Sequence, residues 1–187
     1  MKLMGGSRRR EEGSSADALY RVIVEQSRKP RFYTACGVAD TPDGRYDLIV
    51  AHMVLVMRRL HRSPAETAGL SQALFDLMFA DMDQNLREMG VGDLAVGKRI
   101  KAMAKGFYGR LAAYDAALTS GDAAVLGDAL RRNLYRKTVP LDDHVAAVAA
   151  YLGREARRLD AEPLDGLCAG RLRFGAPPNG FPEFHDG

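Results

Sequence analysis

The sequence predicts an all-α fold: a single-domain bundle of about six helices, with a long loop after the first helix and an extended C-terminal tail. The first observation behind this prediction is that apolar residues recur at helical spacing along most of the chain, with almost none of the strict alternation that marks strands. The second is that short breaks rich in glycine or polar residues separate these segments. The 187 residues, 47% of them hydrophobic, are enough for one domain with a sizeable core.

Composition sets the domain boundaries. Residues 1–13 carry charge and glycine without apolar periodicity, and we expect them to form a flexible N-terminal arm. Residues 14–162 are the predicted helical domain. Residues 163–187 contain several prolines and glycines that cannot continue a helix, so they are predicted to be an extended tail.

The helices are bounded by recognisable start and stop signals. The predicted spans are residues 17–28, 45–61, 64–89, 94–119, 123–137 and 143–160. Ser63, Asp93, Asp122 and Asp142 are the predicted N-caps of the last four helices. Residues 29–43, with two prolines and a TPDG turn signal, form the predicted long loop.

Charge and cysteine content narrow the function classes. A formal net charge of +3 is not that of a histone-like polyelectrolyte; DNA is therefore not an expected partner, and an anionic partner would have to meet local basic clusters. Cys36 and Cys168 match no metal or redox spacing, which predicts reduced structural thiols. The longest apolar run, residues 48–57, has about half the length of a bilayer crossing, and no signal peptide is recognisable. We expect a cytoplasmic protein.

The fourth predicted helix has an apolar face and a basic face. Read at about 100° per residue, its apolar sector contains Val96, Ile100, Met103, Ala104, Phe107, Leu111 and Tyr114. Lys98, Lys101 and Lys105 form a line on the opposite side, and Arg99 and Arg110 flank the apolar sector. These five residues predict a docking surface for an anionic partner. The alternative is a solvated helix face.

Asp81 and Asn85 lie one turn apart in the apolar sector of the third predicted helix. A carboxylate in that position must be hydrogen-bonded or paired. The candidate partners on the neighbouring helix are Arg99, Arg110 and Tyr108. We favour a buried structural pair over a direct contact with a bound protein.

Several motifs in register resemble one known family. They are PRFY at 30–33, DTPDGRYDLIVAHMVLVMRRL at 40–60, ALFDLMFADMD at 73–83, and DMDQNLREMGVGDLAVGKRIKAM at 81–103 followed by FYGR. Over about residues 19–159 the chain resembles the ubiquinol-cytochrome c chaperone family, the assembly factors for the cytochrome b subunit of respiratory complex III. Because no organelle targeting segment is recognisable, we expect a bacterial member.

The resemblance implies a chaperone that engages newly made cytochrome b and promotes assembly of ubiquinol-cytochrome c reductase. Eukaryotic family members act near the exit of the organellar ribosome and with a small partner subunit. Ribosome docking, such a subunit and peripheral contact with the inner membrane are therefore candidate interactions. Met53, Met57, Met78 and Met82 form a candidate apolar groove for the client chain, but we favour core packing for each of them.

Catalysis is not expected, and neither is a cofactor, metal or nucleotide site. Residues 92–99 fit a phosphate-binding loop only up to its last position, where Arg99 replaces Ser or Thr. Two other function classes stay open. A helical quinone- or isoprenoid-handling enzyme would need inward carboxylate pairs one turn apart, which the sequence lacks. A general RNA-binding or scaffolding helical protein would need only the basic faces.

Overall fold

The structure, a computed structural model, describes the backbone of residues 4–178 and the side chains of residues 8–178. Within that range the chain forms eight helices and no strand: α1 (Met4–Ser27), α2 (Arg31–Thr34), α3 (Pro42–His61), α4 (Pro64–Glu88), α5 (Asp93–Ser120), α6 (Ala123–Asn133), α7 (Asp142–Ala161) and α8 (Leu164–Cys168). Their buried side chains join into one hydrophobic core. The predicted all-α, single-domain fold is confirmed. None of the helices in the described range is both long and apolar enough to cross a membrane.

Helix α3 occupies the centre of the bundle. Fifteen of its 20 residues are buried, and it packs against α1, α4, α5 and α7. The helix begins at Pro42 because the Thr41 side chain accepts a hydrogen bond from the Gly44 backbone N–H at 3.2 Å. The TPDG sequence, expected to be a turn in the loop, is thus the N-cap of α3, and the helix starts earlier than predicted.

Short connections fix the directions of the later helices. Each of α3 to α6 contacts the next helix in sequence, so consecutive helices from α3 to α7 run antiparallel. The start of α3, the α4–α5 turn (residues 89–92) and the α6–α7 loop (residues 134–141) therefore lie at one end of the bundle. We call this the α4–α5 end. The α3–α4 and α5–α6 turns lie at the opposite end.

The structure corrects the prediction that residues 1–13 form a flexible arm, because α1 begins at Met4. An ion pair between Arg8 and Glu12 at 3.0 Å stabilises this first part of the helix. The Arg8 guanidinium also donates to the Glu66 carbonyl at 3.4 Å, which ties the helix to α4. Glycines in this segment hid its helical character in the sequence. Residues 1–3 lie outside the described range.

The predicted extended tail is corrected in part: residues 163–178 are packed on the bundle and include helix α8, and residues 171–178 form no helix or strand. Leu167 of α8 is buried. The Gly175 backbone N–H donates to Glu155 at 3.0 Å, and its carbonyl accepts from Gln26 at 2.9 Å. Backbone pairing with buried side chains thus holds a segment that proline content had marked as extended. Residues 179–187 lie outside the described range.

Two of the four predicted N-cap positions are right, those of Ser63 and Asp122, and only Asp122 makes the side-chain capping bond. Asp122 accepts a hydrogen bond from the Ala124 N–H at 2.7 Å, as expected. Asp93 and Asp142 are instead the first residues of α5 and α7. Acidic side chains at that position interact favourably with the positive end of the helix dipole. Ser63 precedes α4 but makes no side-chain capping bond.

Candidate functional site

An open groove of about 1020 Å³ lies at the α4–α5 end, between the start of α3, the last turns of α4 and the first half of α5. Its floor is apolar and includes Ile49, Met82, Leu86 and Met103. The first three of these side chains are largely buried. The groove is therefore an exposed edge of the hydrophobic core, not a separate cavity.

Two of the five α5 residues that line the groove are small, which leaves space in it. Ala102 and Gly106 both face the groove, and a Cβ added at Gly106 would meet no heavy atom within 4 Å. Glycine inside a helix costs about 0.5–1 kcal/mol relative to alanine. Close packing does not require Gly106, so this glycine provides space at the expense of stability.

The rim of the groove is mainly basic. Six basic and three acidic residues of the described range line it: Arg28, Arg45, Arg99, Arg110, Arg136 and Lys137, with Asp40, Asp43 and Glu88. Asp40 and Asp43 each form an ion pair with a basic neighbour. Arg28 and Arg99 make no ion pair with any residue that the structure describes. An anionic group in the groove would meet these two guanidinium groups first.

A buried carboxylate beneath the rim joins three parts of the fold. Asp47 on α3 is only 2% exposed, and it lies 3.0 Å from the Arg110 guanidinium of α5 and 2.7 Å from that of Arg136 in the α6–α7 loop. Burial raises the pKa of Asp47, and the hydrogen bond from Arg136 opposes that effect. We call these three residues the buried ion network. It fixes the walls of the groove relative to one another.

Comparison with known proteins places the chain in a family. Residues 34–174 match the family described as ubiquinol-cytochrome C chaperone. The chain belongs to the ubiquinol-cytochrome c chaperone family. The crystal structure of the Cbp3 homolog from Brucella abortus superimposes with a TM-score of 0.83 at 34% identity, over 94% of this chain and 97% of that one.

Curated vertebrate relatives of this chaperone family are more distant. Ubiquinol-cytochrome c reductase complex assembly factor 1 of Mus musculus is 22% identical over 83% of this chain and 53% of its own length. The Xenopus laevis protein of that name is 23% identical over 79% of this chain and 72% of its own. The chain thus spans about half of the mouse protein. The family match includes every groove residue except Arg28.

Three of the four methionines of the candidate apolar groove are core residues, as the favoured interpretation predicts. Met53, Met57 and Met78 are buried in the core. Met82 is also buried, but it reaches the floor of the groove. Sequence patterning could not separate these roles, because flexible methionine side chains suit irregular cores as well as binding surfaces.

Asp81 is paired as expected, but with a different partner. The Tyr20 hydroxyl of α1 donates a hydrogen bond to Asp81 Oδ2 at 2.7 Å. Burial, together with this hydrogen bond, raises the pKa of Tyr20. The Asn85 amide donates to the Asp81 backbone carbonyl at 2.7 Å, and its side chain lines the groove. The expected partners Arg99, Arg110 and Tyr108 were wrong because α4 meets α1 at this position.

The basic face of α5 divides into two parts in the structure. Lys98, Arg99, Lys101 and Lys105 are exposed and make no ion pair with any residue in the described range. Arg110 is different, because its side chain is largely buried and paired with Asp47. Arg110 is therefore removed from the predicted docking surface.

Two buried charges on α3 received no role in the sequence analysis. Asp47 anchors the buried ion network, and Arg58 lies 2.9 Å from Asp115 and 2.7 Å from Asp160. The available signal was a charged residue on a helix that is apolar on nearly all sides. Such a charge has to be paired when the helix is central.

Proposed function

We propose that this protein is a chaperone and assembly factor that binds newly synthesised cytochrome b and promotes assembly of ubiquinol-cytochrome c reductase, respiratory complex III. Membership of the chaperone family supports the general role. The observation that carries the proposal further is the groove, which joins an apolar floor to a basic rim and lies almost wholly within the family match. Such a surface suits an apolar segment of an unassembled membrane protein.

The two parts of the groove would bind different parts of the client. Apolar side chains of the segment would cover the floor. Each Å² of apolar surface buried there contributes about 25 cal/mol to the free energy of binding. Arg28 and Arg99 are free to donate hydrogen bonds to carbonyl or carboxylate groups that flank the apolar stretch. The segment would remain exchangeable because the groove is open along its length.

The proposal also includes docking of Lys98, Arg99, Lys101 and Lys105 on an anionic surface, either ribosomal RNA or lipid headgroups. A small partner subunit is compatible with the remaining surface. The groove favours a binding role over a quinone- or isoprenoid-handling enzyme, because Asp40 and Asp43 on its rim are already paired with basic side chains. We infer a cytoplasmic protein that works by binding, without catalysis.

The test uses two glycines on the same helix. Gly106 lines the groove and Gly109 does not, and a Cβ at either position meets no heavy atom within 4 Å. Gly106→Leu should fold normally, fill the groove and weaken photo-cross-linking to newly made cytochrome b about tenfold, since overpacking a contact costs about 1–3 kcal/mol. Assembled complex III should fall with it. The matched Gly109→Leu variant should retain both.

Two results would contradict this proposal at different levels. If Gly106→Leu cross-links like wild type, the client lies on another surface. If a deletion strain accumulates normal complex III, the assembly function itself is wrong. Ribosome binding that is the same with and without a cytochrome b nascent chain would favour a general RNA-binding protein.

A further inference from the structure

The most exposed apolar side chains gather at the α4–α5 end. Met89 is 55% exposed and Leu94 is 90% exposed beside the α4–α5 turn, and Val139 (99%) and Leu141 (65%) are exposed in or beside the α6–α7 loop. Four of the six large apolar side chains exposed in the described range are thus at one end. Apolar side chains concentrated in this way mark an interaction surface.

The exposed lysines of α5 begin directly beside this apolar end. Leu94, Lys98, Lys101, Lys105 and Tyr108 follow one another at alternating spacings of four and three residues, so they form one line along the outer surface of the helix. The line extends about 21 Å at 1.5 Å per residue. The lysines are available to an external anion, because they make no ion pair with any residue in the part of the chain that the structure describes.

Two acidic residues next to the exposed apolar side chains are paired within the fold, whereas Glu88 and Asp143 at the same end make no ion pair with a described residue. Asp93 pairs with Arg87 and Asp142 pairs with Arg131. The positive charge of the lysine line is therefore not cancelled by these carboxylates.

We propose that the α4–α5 end and the adjoining lysine line dock on the surface of a bilayer that contains anionic phospholipids. Leu94 and Val139 enter the region between headgroups and acyl chains, while Lys98, Lys101 and Lys105 contact headgroup phosphates. The neighbouring apolar side chains favour a lipid surface over RNA. A bilayer can remove the exposed leucine and valine side chains from water, whereas RNA phosphates contact only the basic residues. Tyr108, 55% exposed, suits the same interface.

This inference rests on the anionic docking in the proposed function and deepens it by naming a bilayer as the surface and the apolar end of the bundle as part of the contact. The groove lies at the same end of the bundle. A chain segment bound in the groove would therefore be held next to the bilayer, where its exposure to water after release is short.

The test is flotation of the purified full-length protein with vesicles of phosphatidylcholine, alone or mixed with phosphatidylglycerol. We expect binding to the mixed vesicles, weakened by added salt. The variant with Lys98→Ala, Lys101→Ala and Lys105→Ala should bind about a hundredfold more weakly, since each basic residue near an anionic surface contributes about fivefold. Leu94→Ser with Val139→Ser should weaken binding about tenfold or more, because apolar contact is lost.

Control variants remove positive charge and exposed apolar surface from the opposite end. Arg9→Ala, Arg10→Ala and Arg157→Ala remove three exposed charges there, and Val125→Ser removes an exposed apolar side chain. These variants should float like wild type, and all variants should keep the wild-type melting temperature because the substituted side chains are exposed.

The proposal is overturned if the wild type does not float with mixed vesicles at low salt, or if the controls lose binding equally. Loss of ribosome pelleting by the lysine variant, with none by Leu94→Ser and Val139→Ser, would assign the surface to RNA. Because no cytochrome b is present, failure of flotation leaves the groove and its cross-linking test untouched.

Discussion

Helices α3 and α5 use their residues in opposite ways. Fifteen of the 20 residues of α3 are buried, whereas four of the 28 residues of α5 are buried. Helix α5 also contains Gly97, Gly106 and Gly109, where an added Cβ would meet no heavy atom within 4 Å. A helix with few buried residues and several glycines contributes less to stability than its length allows. The surface of α5 is therefore the better place to look for function.

The charges of the two helices show the same contrast. Asp47 and Arg58 on α3 are buried and each has two oppositely charged neighbours. Lys98, Lys101 and Lys105 on α5 are exposed without an ion pair in the described range. Substitutions on α3 should therefore change folding, and substitutions on the outer face of α5 should change binding.

The largest expected effect is that of Asp47→Ala. The substitution leaves two guanidinium groups, those of Arg110 and Arg136, without their buried partner. Breaking a buried ion pair from one side costs about 3–5 kcal/mol, and the free energy of unfolding in urea should fall by that amount. Asp83→Ala is the control, because Asp83 pairs with Arg87 on the exposed side of α4, where such pairs contribute about 0.3–0.5 kcal/mol. Equal effects of the two substitutions would contradict the contrast between buried and exposed charges.

The sequence was sufficient for the all-α class and for most helix ends, because periodicity, glycines and caps are local signals. It was not sufficient for the partners of buried charges. Tyr20 and Asp81 are 61 residues apart in sequence, and only the packing of α1 on α4 brings them together. Arg110 looked like part of the basic face because spacing along α5 does not reveal that α3 presents Asp47 to it.

The next largest effect is the pH dependence of the free energy of unfolding that a buried histidine of α3 causes. His52 is fully buried; its Nδ1 lies 2.9 Å from the Leu48 carbonyl and its Nε2 lies 3.0 Å from the Tyr151 hydroxyl. Burial lowers the pKa of His52 from 6.5 to about 4. The unfolded chain therefore binds a proton that the folded chain excludes, and stability present above pH 6.5 is lost as pH falls towards 4.

Linkage gives a loss of about 2 kcal/mol between roughly pH 7.5 and pH 5 from this histidine alone. The difference should be visible in urea unfolding at the two pH values. The non-titrating variant His52→Gln should show a smaller pH dependence by that amount, whatever its absolute stability. If wild type and variant lose the same free energy, His52 does not remain neutral in the fold.

A smaller effect is expected from Asp81→Ala on α4. The substitution leaves the largely buried Tyr20 hydroxyl without its acceptor, which costs about 1–2 kcal/mol because the lost partner bonds a neutral group. Tyr20→Phe removes the hydroxyl instead, and the double variant should be no less stable than Asp81→Ala alone. If Asp81→Ala melts like wild type but no longer cross-links to cytochrome b, Asp81 contributes to client binding and not to the stability of the fold.

The smallest effect is expected from glycine substitutions on α5, and a glycine substitution on α3 should have the opposite sign and a larger size. Gly97→Ala and Gly109→Ala on α5 should each raise the free energy of unfolding by about 0.5–1 kcal/mol, because alanine is the better helix former and its Cβ meets open space. Gly44→Ala on α3 should be destabilising, since its Cβ would lie 2.0 Å from the Ala39 carbonyl oxygen. Urea unfolding of the three variants measures both signs. If the α5 variants gain stability but lose vesicle or client binding, these glycines serve binding by keeping the surface of α5 flat. If the variants gain stability and keep both kinds of binding, this part of α5 tolerates side chains. The contrast between α3 and α5 is then a difference in packing alone.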